Sequence, residues 1–377
     1  MGKLNLVLID RDADYVNCLL DYLMSEQTHK FLVSAYTEET SLARFLAEET
    51  VKATDDIFLV SREFYEQVLH RVKGIVIFLD DEKSAVNQKD KGRTIYKYQY
   101  GDRLVAEVLK IFAEEGSVGY TFNTTYTSNA GQKKNRIMGI YSPIGGVGKT
   151  TIAVGACIQS AWEGKSVFYL NLENTATTPL YFQGEQKKNL SNILYFLKSK
   201  SANLPLQIEG AKCVDPFYKV HYFQPPDSIY DFTEDVSHEL CRLLQELKTT
   251  KQYERIFIDF SCAINKNNLA VLRNCDDLLL VAEENQTSVV KIKCMLKELH
   301  LLLSREEEAE LMERFNLVLN KSIPTAEVKT EELSINQKGV LARIPLVEDL
   351  TILQDGVCKL DLNSSFGKAL YQLLLNF

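Results

Sequence analysis

Residues 136–162 read RIMGIYSPIGGVGKTTIAVGACIQSAW, and this stretch decides the fold class. It begins with a short apolar run, passes through a glycine-rich turn at 145–148, and continues in a helical pattern. An apolar run of this kind predicts a strand that is covered on both faces, as in a parallel sheet packed between helices. The stretch therefore predicts a buried strand, a glycine loop and a helix, in that order.

The same alternation extends over the whole chain. Apolar runs such as KLNLVLID, DDIFLVS and GIVIFLD occur in the first third, and SVFYLNL, RIFIDF, DLLLVAE and FNLVLN occur later. Helical patterns such as DYVNCLLDYLMSE and VSHELCRLLQELK lie between them. Strands that alternate with helices predict α/β architecture with right-handed crossovers. We therefore expect doubly wound parallel sheets with helices on both faces.

The length of 377 residues favours two domains. Residues 114–136, EEGSVGYTFNTTYTSNAGQKKNR, are rich in Gly, Ser, Thr and Asn and show no helical periodicity. Such a composition is typical of a linker. We therefore expect one α/β domain at 1–115, a linker at 116–134 and a second α/β domain at 135–377.

Composition and charge exclude several classes of protein. The chain carries 51 acidic and 43 basic residues, for a net charge of −8, which disfavours broad nucleic-acid binding. The eight cysteines are scattered without a CxxC pair, which favours reduced thiols in a cytosolic protein. No stretch approaches the ~18 consecutive apolar residues of a membrane span. We therefore expect a cytoplasmic protein without stable membrane insertion.

The glycine loop has the composition of a phosphate-binding loop. Gly145, Gly146 and Gly148 allow a tight turn that brings backbone amides close to phosphate oxygens. Lys149 is placed to neutralise β- and γ-phosphates, and the hydroxyl of Thr150 to bind Mg²⁺. The helix that follows directs its positive end at the same anion. The alternative is a glycine-rich turn in which the Lys-Thr pair is incidental.

A phosphate-binding loop needs a second strand that ends in an acid, which holds the water shell of the metal. The run YERIFIDF supplies such a strand and ends at Asp259. The sequence therefore predicts a metal site at Thr150 and Asp259. The alternative is that Asp259 merely caps the next helix.

Five segments in the second predicted domain resemble one family. GGVGKTTIA, GKSVFYLNLE, YERIFIDFS, LVLNKS and ARIPLVEDL occur in this order and resemble the motifs of the MinD/ParA superfamily of deviant Walker A ATPases. The resemblance covers most of 135–377. It implies ATP and Mg²⁺ as cofactors and a nucleotide-dependent homodimer. The loop residues that it implies for nucleotide binding are Gly145, Gly146, Val147, Gly148, Lys149, Thr150 and Thr151.

The resemblance also implies roles at the ends of other strands. The family carries an Asp-x-Asp pair after the loop helix, and this chain has Asn171 and Glu173 at those positions. Glu173 is therefore expected to orient the attacking water, with Lys149 and Asp259 as the other catalytic residues. Asn320 is expected to hydrogen-bond adenine, or else to be an ordinary residue at a strand end. The base is expected to be walled by Ile344, Pro345 and Val347.

The main departure from the family is at Ile144. The family's signature lysine stands directly before the double glycine and reaches the phosphates of the partner across the dimer. Ile144 has neither charge nor donor. Because such a cation contributes large factors to phosphoryl transfer, we expect nucleotide binding with weak or partner-stimulated hydrolysis.

In the first predicted domain, VLIDRD at 7–12 and Lys97 in IYKYQ at 95–99 resemble the acidic first strand and the last-strand lysine of a response-regulator receiver domain, but the chemistry is lost. Arg11 replaces the second acid of its acidic pair, Ser61 stands at the phospho-acceptor position, and Asp80 stands at the hydroxyl position. The resemblance therefore implies an interaction or dimerisation domain without phosphorelay. Three further residues of the pattern are expected to have structural roles: Asp10, Asp12 and Lys97.

A degenerate receiver followed by a deviant ATPase domain resembles the TadZ/CpaE family. That resemblance implies a scaffold that recruits pilus and secretion assembly proteins, with localisation at a cell pole. The open alternatives are a partner-stimulated ATPase, a ParA-like partition protein that binds DNA, and MinD-like membrane cycling through SSFGKALYQLLLNF at 364–377. That segment is nearly devoid of Lys and Arg and lacks the basic face expected at anionic lipid, so we expect a terminal helix packed on the core. Residues 181–210 are expected to form a partner-contact insertion or a solvated helix face and include Lys187, Lys188, Lys198 and Lys200.

Overall fold

The structure is a computed structural model that describes residues 4–27, 31–47, 56–72, 74–81, 93–115, 135–184, 188–199, 204–323, 338–354 and 356–377. The predicted linker at 116–134 lies outside the described residues, as do Lys187 and Lys200. The chain divides into two compact units. The first unit comprises Met1–Tyr126 and Lys200–Ala211, and the second comprises Thr127–Ser199 and Lys212–Phe377.

The first unit is a parallel sheet between two layers of helices. Its elements are β1 (Leu4–Ile9), α1 (Ala13–Glu26), β2 (Phe31–Tyr36), α2 (Glu39–Ala47), β3 (Asp56–Ser61), α3 (Tyr65–Leu69), β4 (Ile75–Asp80), β5 (Thr94–Tyr96) and α4 (Gly101–Glu115). The strands are all parallel in the order β2-β1-β3-β4-β5. This is the flavodoxin-like doubly wound order, and it confirms the predicted fold class of this part of the chain.

Both faces of this sheet are apolar because both are covered. Along β1, Leu4, Leu6 and Leu8 join one core cluster, and Val7 and Ile9 join the other. The alternation follows from the period of two of a β-strand. A strand with both faces buried is apolar at nearly every position, and this is why LVLI at 6–9 shows no polar–apolar alternation.

The second unit has a larger sheet. Its strands are β6 (Arg136–Tyr141), β7 (Val167–Leu172), β8 (Cys213–Val214), β9 (His221–Tyr222), β10 (Arg255–Phe260), β11 (Asp277–Ala282), β12 (Phe315–Ser322) and β13 (Val340–Pro345). Their order is β13-β12-β11-β6-β10-β7-β9-β8. The pairs are parallel except for β8 with β9. A separate antiparallel pair consists of β14 (Thr351–Gln354) and β15 (Val357–Leu360).

Helices cover this second sheet. They are α5 (Lys149–Trp162), α6 (Thr178–Tyr181), α7 (Leu190–Lys198), α9 (Ser237–Thr249), α10 (Lys266–Leu272), α11 (Gln286–Leu302), α12 (Arg305–Arg314) and α13 (Ser365–Leu374). A short 3-10 helix spans Ile229–Phe232. In α13 the apolar face is buried through Phe366, Leu370, Leu373 and Leu374. The predicted packing of this segment on the core is therefore confirmed. Among the helices that the structure describes, none combines the length and apolarity needed to cross a bilayer.

One short helix is separated in sequence from the unit to which it belongs. Helix α8 (Leu204–Glu209) packs against α4 in the first unit. Leu206 is fully buried in the same apolar cluster as Leu104 and Val108. The segment 181–210, which was expected to form one insertion, therefore contributes α7 to the second unit and α8 to the first. Of its described lysines, Lys198 pairs with Glu234 at 2.8 Å.

We predict that Leu206→Ala weakens the first unit and leaves the second unchanged. Removing a fully buried leucine side chain costs about 2–4 kcal/mol, from lost apolar burial and the cavity left behind. Hydrogen exchange with mass spectrometry should show faster exchange in β1, β3 and β4, with β10 and β11 unaffected. The control is Leu301→Ala, at a leucine that is 69% exposed. Faster exchange in the second unit alone would contradict the assignment of α8.

Candidate functional site

The glycine loop leads from β6 into α5 with the backbone conformation that the sequence predicts. Gly146 and Gly148 have φ angles of 77° and 91°, in the left-handed region that favours glycine. Gly148 is the N-cap of α5. A Cβ at Gly148 would also collide with the side-chain amide of Asn320. The loop therefore needs glycine at position 148 for two independent reasons, one local and one tertiary.

Lys149 is buried at the first position of α5. Its Nζ donates a hydrogen bond to Sγ of Cys262 at 3.0 Å. The hydroxyl of Tyr141 donates to the carbonyl oxygen of Cys262 at 3.3 Å, which ties the end of β6 to the segment after β10. The ammonium group therefore lies at the carboxyl ends of two neighbouring parallel strands, where open α/β sheets bind their ligands.

Asp259 is fully buried near the end of β10. Its Oδ2 accepts a hydrogen bond from the hydroxyl of Tyr169 at 3.0 Å. Burial and the neighbouring carboxylate of Glu173 together raise the pKa of Asp259 to about 7, against the opposing effects of Thr150, Tyr169 and Lys149. Keeping this carboxyl group ionised in its buried position costs free energy. Groups with strongly shifted pKa values of this kind mark candidate functional sites.

Asn171 and Glu173 lie beside Asp259, as the order of the strands requires. The Nδ2 group of Asn171 donates to the hydroxyl of Tyr169 at 3.0 Å, and its Oδ1 accepts from the backbone N–H of Glu173 at 2.8 Å. Burial raises the pKa of the half-buried Glu173, and the Lys149 ammonium and the Thr150 hydroxyl partly oppose that shift. Asn171 therefore positions Glu173 although it has no acid–base chemistry of its own.

These residues fit a magnesium ion by their chemistry. The Oδ1 atom of Asp259 is buried and has no hydrogen-bond partner among the described residues. Hydroxyl and carboxylate oxygens of Thr150, Asp259 and Glu173 are the donors that Mg²⁺ prefers. The electrostatic coupling of Glu173 to Lys149 and to Asp259 shows that the groups lie close together. The fold therefore brings together Thr150 and Asp259, the two metal ligands predicted from the sequence, and places Glu173 beside them.

The other predicted loop residues differ in exposure. Gly145 and Gly146 are exposed and Thr151 is half-buried, whereas Val147 is buried. Ile144 is buried as well, and its backbone N–H donates to Oγ of Ser142 at 3.1 Å. The residue at the signature-lysine position is thus an apolar side chain packed inside its own unit.

The residues expected around the base lie along the edge formed by β12 and β13. The buried Asn320 donates through Nδ2 to the carbonyl oxygen of Val147 at 2.7 Å, so this amide group is already engaged with the glycine loop. Ile344 is fully buried, whereas Pro345 and Val347 are partly exposed. Of the three apolar residues expected to wall the base, Pro345 and Val347 are the two that present surface.

Three residues of the site are not among those predicted from the sequence: Tyr169, Cys262 and Lys321. Tyr169 could have been found, because Tyr169, Asn171 and Glu173 are spaced by two and share one face of an extended segment. Cys262 and Lys321 carry no local signal. Lys321 donates to the carbonyl oxygen of Gly146 at 2.7 Å from a strand more than 170 residues away in sequence.

The first unit has its own charged cluster at the carboxyl ends of its strands. The buried ammonium of Lys97 lies 2.8 Å from Asp10, 3.5 Å from Asp12 and 3.8 Å from Asp81. Burial alone would lower the pKa of Lys97, but the hydrogen bond and charge of Asp10 outweigh it and raise the pKa above its ordinary value. The positive charge of Lys97 therefore neutralises the surrounding carboxylates. Asp10, Asp12 and Lys97 thus have a structural role in this unit.

Two solved bacterial proteins are similar to this chain in fold. The ParA family ATPase from Chlorobium tepidum is 18% identical, with a TM-score of 0.53, over 64% of this chain and 98% of that chain. The MinD cell division protein from Aquifex aeolicus is 18% identical, with a TM-score of 0.50, over 64% of this chain and 95% of that chain. This chain has a MinD/ParA-type ATPase fold. No protein-family model matches the chain, and no curated protein matches it.

The MinD/ParA-type fold accounts for the geometry of the site. Its central parallel strands β6, β10 and β7 bring the glycine loop, Asp259 and Glu173 to one edge of the sheet. At 18% identity, these two structures establish the architecture and do not assign a role to any residue of this chain.

We predict that Asp259→Asn stabilises the metal-free protein more at pH 8 than at pH 5. The folded-state pKa of about 7 lies above the ordinary value of 3.8. Between these values the folded state binds more protons than the unfolded state, so this group's contribution to stability falls as the pH rises through that window. Removing the charge should therefore raise the free energy of unfolding by about 1 kcal/mol or more at pH 8, since one pKa unit corresponds to about 1.4 kcal/mol.

The measurement is urea denaturation with EDTA at both pH values, followed by the fluorescence of Trp162 on α5 of the same unit. Asp361→Asn is the control for a general effect of removing an acid, because Asp361 is exposed. An equal effect of Asp259→Asn at the two pH values would contradict the raised pKa.

Proposed function

We propose that this protein is an ATP-binding switch and scaffold whose nucleotide state controls dimerisation. The observation that supports this most directly is the convergence of a glycine loop, the buried Lys149, and the carboxyl groups of Asp259 and Glu173 at one edge of the sheet. A loop of amides, a cation and carboxylates at a helix N-terminus is suited to a Mg²⁺-bound polyphosphate.

Each residue has a separable task in binding. The amides of the glycine loop and the N-terminus of α5 bind phosphate oxygens, and Lys149 neutralises their charge. Thr150 and Asp259 would hold Mg²⁺, which would supply further neutralisation of the phosphates. Pro345 and Val347 present apolar surface for the base. ATP and Mg²⁺ are therefore the proposed cofactors.

Slow hydrolysis follows from what the loop lacks. Ile144 is buried and uncharged, so it offers no cation to a partner's phosphates. Glu173 lies near Lys149 and Thr150, where its carboxyl group can orient water, but no cation from Ile144 assists the transfer. We infer a nucleotide-dependent homodimer with weak or partner-stimulated ATPase activity.

A scaffold of Tad-type pilus assembly is the finer form of this proposal. It is supported by a flavodoxin-like unit placed before the ATPase-fold unit, as in the TadZ/CpaE arrangement. Lys97 neutralises the acidic cluster of that first unit, and Ser61 stands where a phospho-acceptor would be needed. A receiver-like unit without that chemistry is suited to protein contacts, and the proposed partners are pilus and secretion assembly proteins at a cell pole. DNA binding that weakens with salt would instead favour a partition-type role.

We predict that Lys149→Ala strongly weakens the binding of Mg-ATP and with it any ATP-induced dimer. Loss of the ammonium removes the main cation facing the phosphates, so the Kd should rise at least about a hundredfold, which corresponds to about 2.7 kcal/mol. Calorimetry gives the Kd, and light scattering gives the molar mass with Mg-ATP and Mg-ADP. Lys198→Ala, which removes an exposed lysine of α7, is the control. Absence of binding by the wild-type protein would refute the proposed function.

We predict that Ile144→Lys raises ATP turnover by about tenfold or more, because it restores a cation that can reach across the dimer. Ile144→Met keeps an apolar side chain of similar size and should leave turnover unchanged. Steady-state phosphate release measures both. A gain with methionine as well would show that packing, and not charge, limits the rate.

A further inference from the structure

Two consecutive residues at the end of β12 hold two consecutive carbonyl groups of the glycine loop. Nδ2 of Asn320 donates to the carbonyl oxygen of Val147, and Nζ of Lys321 donates to that of Gly146, each at 2.7 Å. Lys321 also pairs with Glu283 at 2.8 Å. We call Asn320, Lys321 and Glu283 the loop clamp.

The bonded carbonyl groups determine where the amides of the loop point. In a trans peptide, the C=O of one residue and the N–H of the next point in opposite directions. When the Gly146 and Val147 carbonyls are held towards β12, the N–H groups of Val147 and Gly148 are directed away from it. The clamp therefore sets the orientation of two amides in the loop that would bind phosphate.

The backbone of β12 departs from regular strand geometry where it contacts the glycine loop. Lys321 has a φ of 53°, in the left-handed region that a lysine adopts only at a cost in free energy. The register with β13 shifts between Leu319 and Ser322, which is the irregularity that re-aims a side chain in a strand. Glu283, at the end of β11, then holds the ammonium group in place.

The charge on Lys321 adds to its effect on geometry. A hydrogen bond from an ammonium group is stronger than one from a neutral donor and polarises the peptide group that accepts it. The N–H of Val147 belongs to the peptide group whose carbonyl Lys321 binds, so it becomes a better donor to an anion. Ile144 supplies no such charge, and Lys321 brings a cation to the loop from within the same unit.

We propose that Asn320 and Lys321 are positioning residues that hold the glycine loop in its anion-binding conformation. This proposal rests on the proposed nucleotide binding and deepens it. It replaces the adenine contact expected for Asn320 with a contact to the loop itself. The clamp favours the binding of any nucleoside di- or triphosphate, because the loop amides bind phosphates and not the base.

The test compares Lys321→Met and Asn320→Ala with Lys198→Met. Lys198 is a matched control, because it also pairs with a glutamate at 2.8 Å and its side chain is 43% exposed, against 41% for Lys321. Calorimetry measures the Kd for Mg-ATP, Mg-ADP and Mg-GTP. We expect Lys321→Met to weaken ATP and ADP by a similar factor, about tenfold each. Lys321→Arg should restore most of the affinity, and Lys198→Met should change nothing.

The alternatives give different patterns of loss. A loss for ATP without a loss for ADP would make Lys321 a γ-phosphate ligand and overturn the clamp. A change in the ratio of the Kd for Mg-ATP to the Kd for Mg-GTP in Asn320→Ala would show that Asn320 contacts adenine. That result would overturn the clamp for Asn320. Unchanged affinities in both variants would overturn it altogether.

A second measurement does not depend on nucleotide binding. The N–H of Ile152 donates to the carbonyl oxygen of Gly148 at 3.0 Å, so its hydrogen exchange reports whether the loop end of α5 is held. In the ligand-free protein, Lys321→Met should speed exchange in the peptide covering 142–153, and Lys198→Met should not. If the wild-type protein binds no nucleotide, the proposed function fails, and this exchange result still decides whether the clamp exists.

Discussion

The buried carboxyl group of Asp259 is the constraint around which the site is built. Removing a charge from water is costly unless hydrogen bonds compensate for it. Here the compensation begins with Tyr169 and passes through Asn171 to the backbone of Glu173. Glu173 is thus positioned by the same network that supports Asp259, and its charge in turn raises the pKa of Asp259. Under the proposed function, a bound cation would relieve the repulsion between these two carboxyl groups.

Each unit buries a lysine at the carboxyl ends of its strands, and the partners of the two lysines differ. Lys97 is surrounded by carboxylates, which satisfy its charge within the fold. Lys149 donates to Sγ of Cys262, a weak acceptor, and also lies near the carboxyl groups of Glu173 and Asp259. Under the proposed function, a phosphate would replace the contact between Lys149 and Cys262, whereas three carboxylates already neutralise Lys97.

Much of the fold and the central part of the site could be predicted from local sequence. Consecutive apolar residues in KLNLVLID and RIMGIY indicate strands buried on both faces, because no polar face is needed there. The left-handed conformations at Gly146 and Gly148 and the helix start at Lys149 depend on residues within a few positions of each other. The placement of Asp259 beside Lys149 follows from parallel order, since carboxyl ends of parallel strands lie on one edge of a sheet.

The sequence by itself determined the strand–loop–helix unit, the parallel sheets and the acids at their edge, because these depend on periodicity and short-range conformation. Tertiary structure alone decided the contacts between distant segments. Asn320 and Lys321 meet the glycine loop, Cys262 meets Lys149, and Leu206 fills the core of the first unit from a separate stretch of chain. These partners are chosen by shape, burial and charge in three dimensions, and no local pattern records which distant side chain will satisfy a given carbonyl, thiol or cavity.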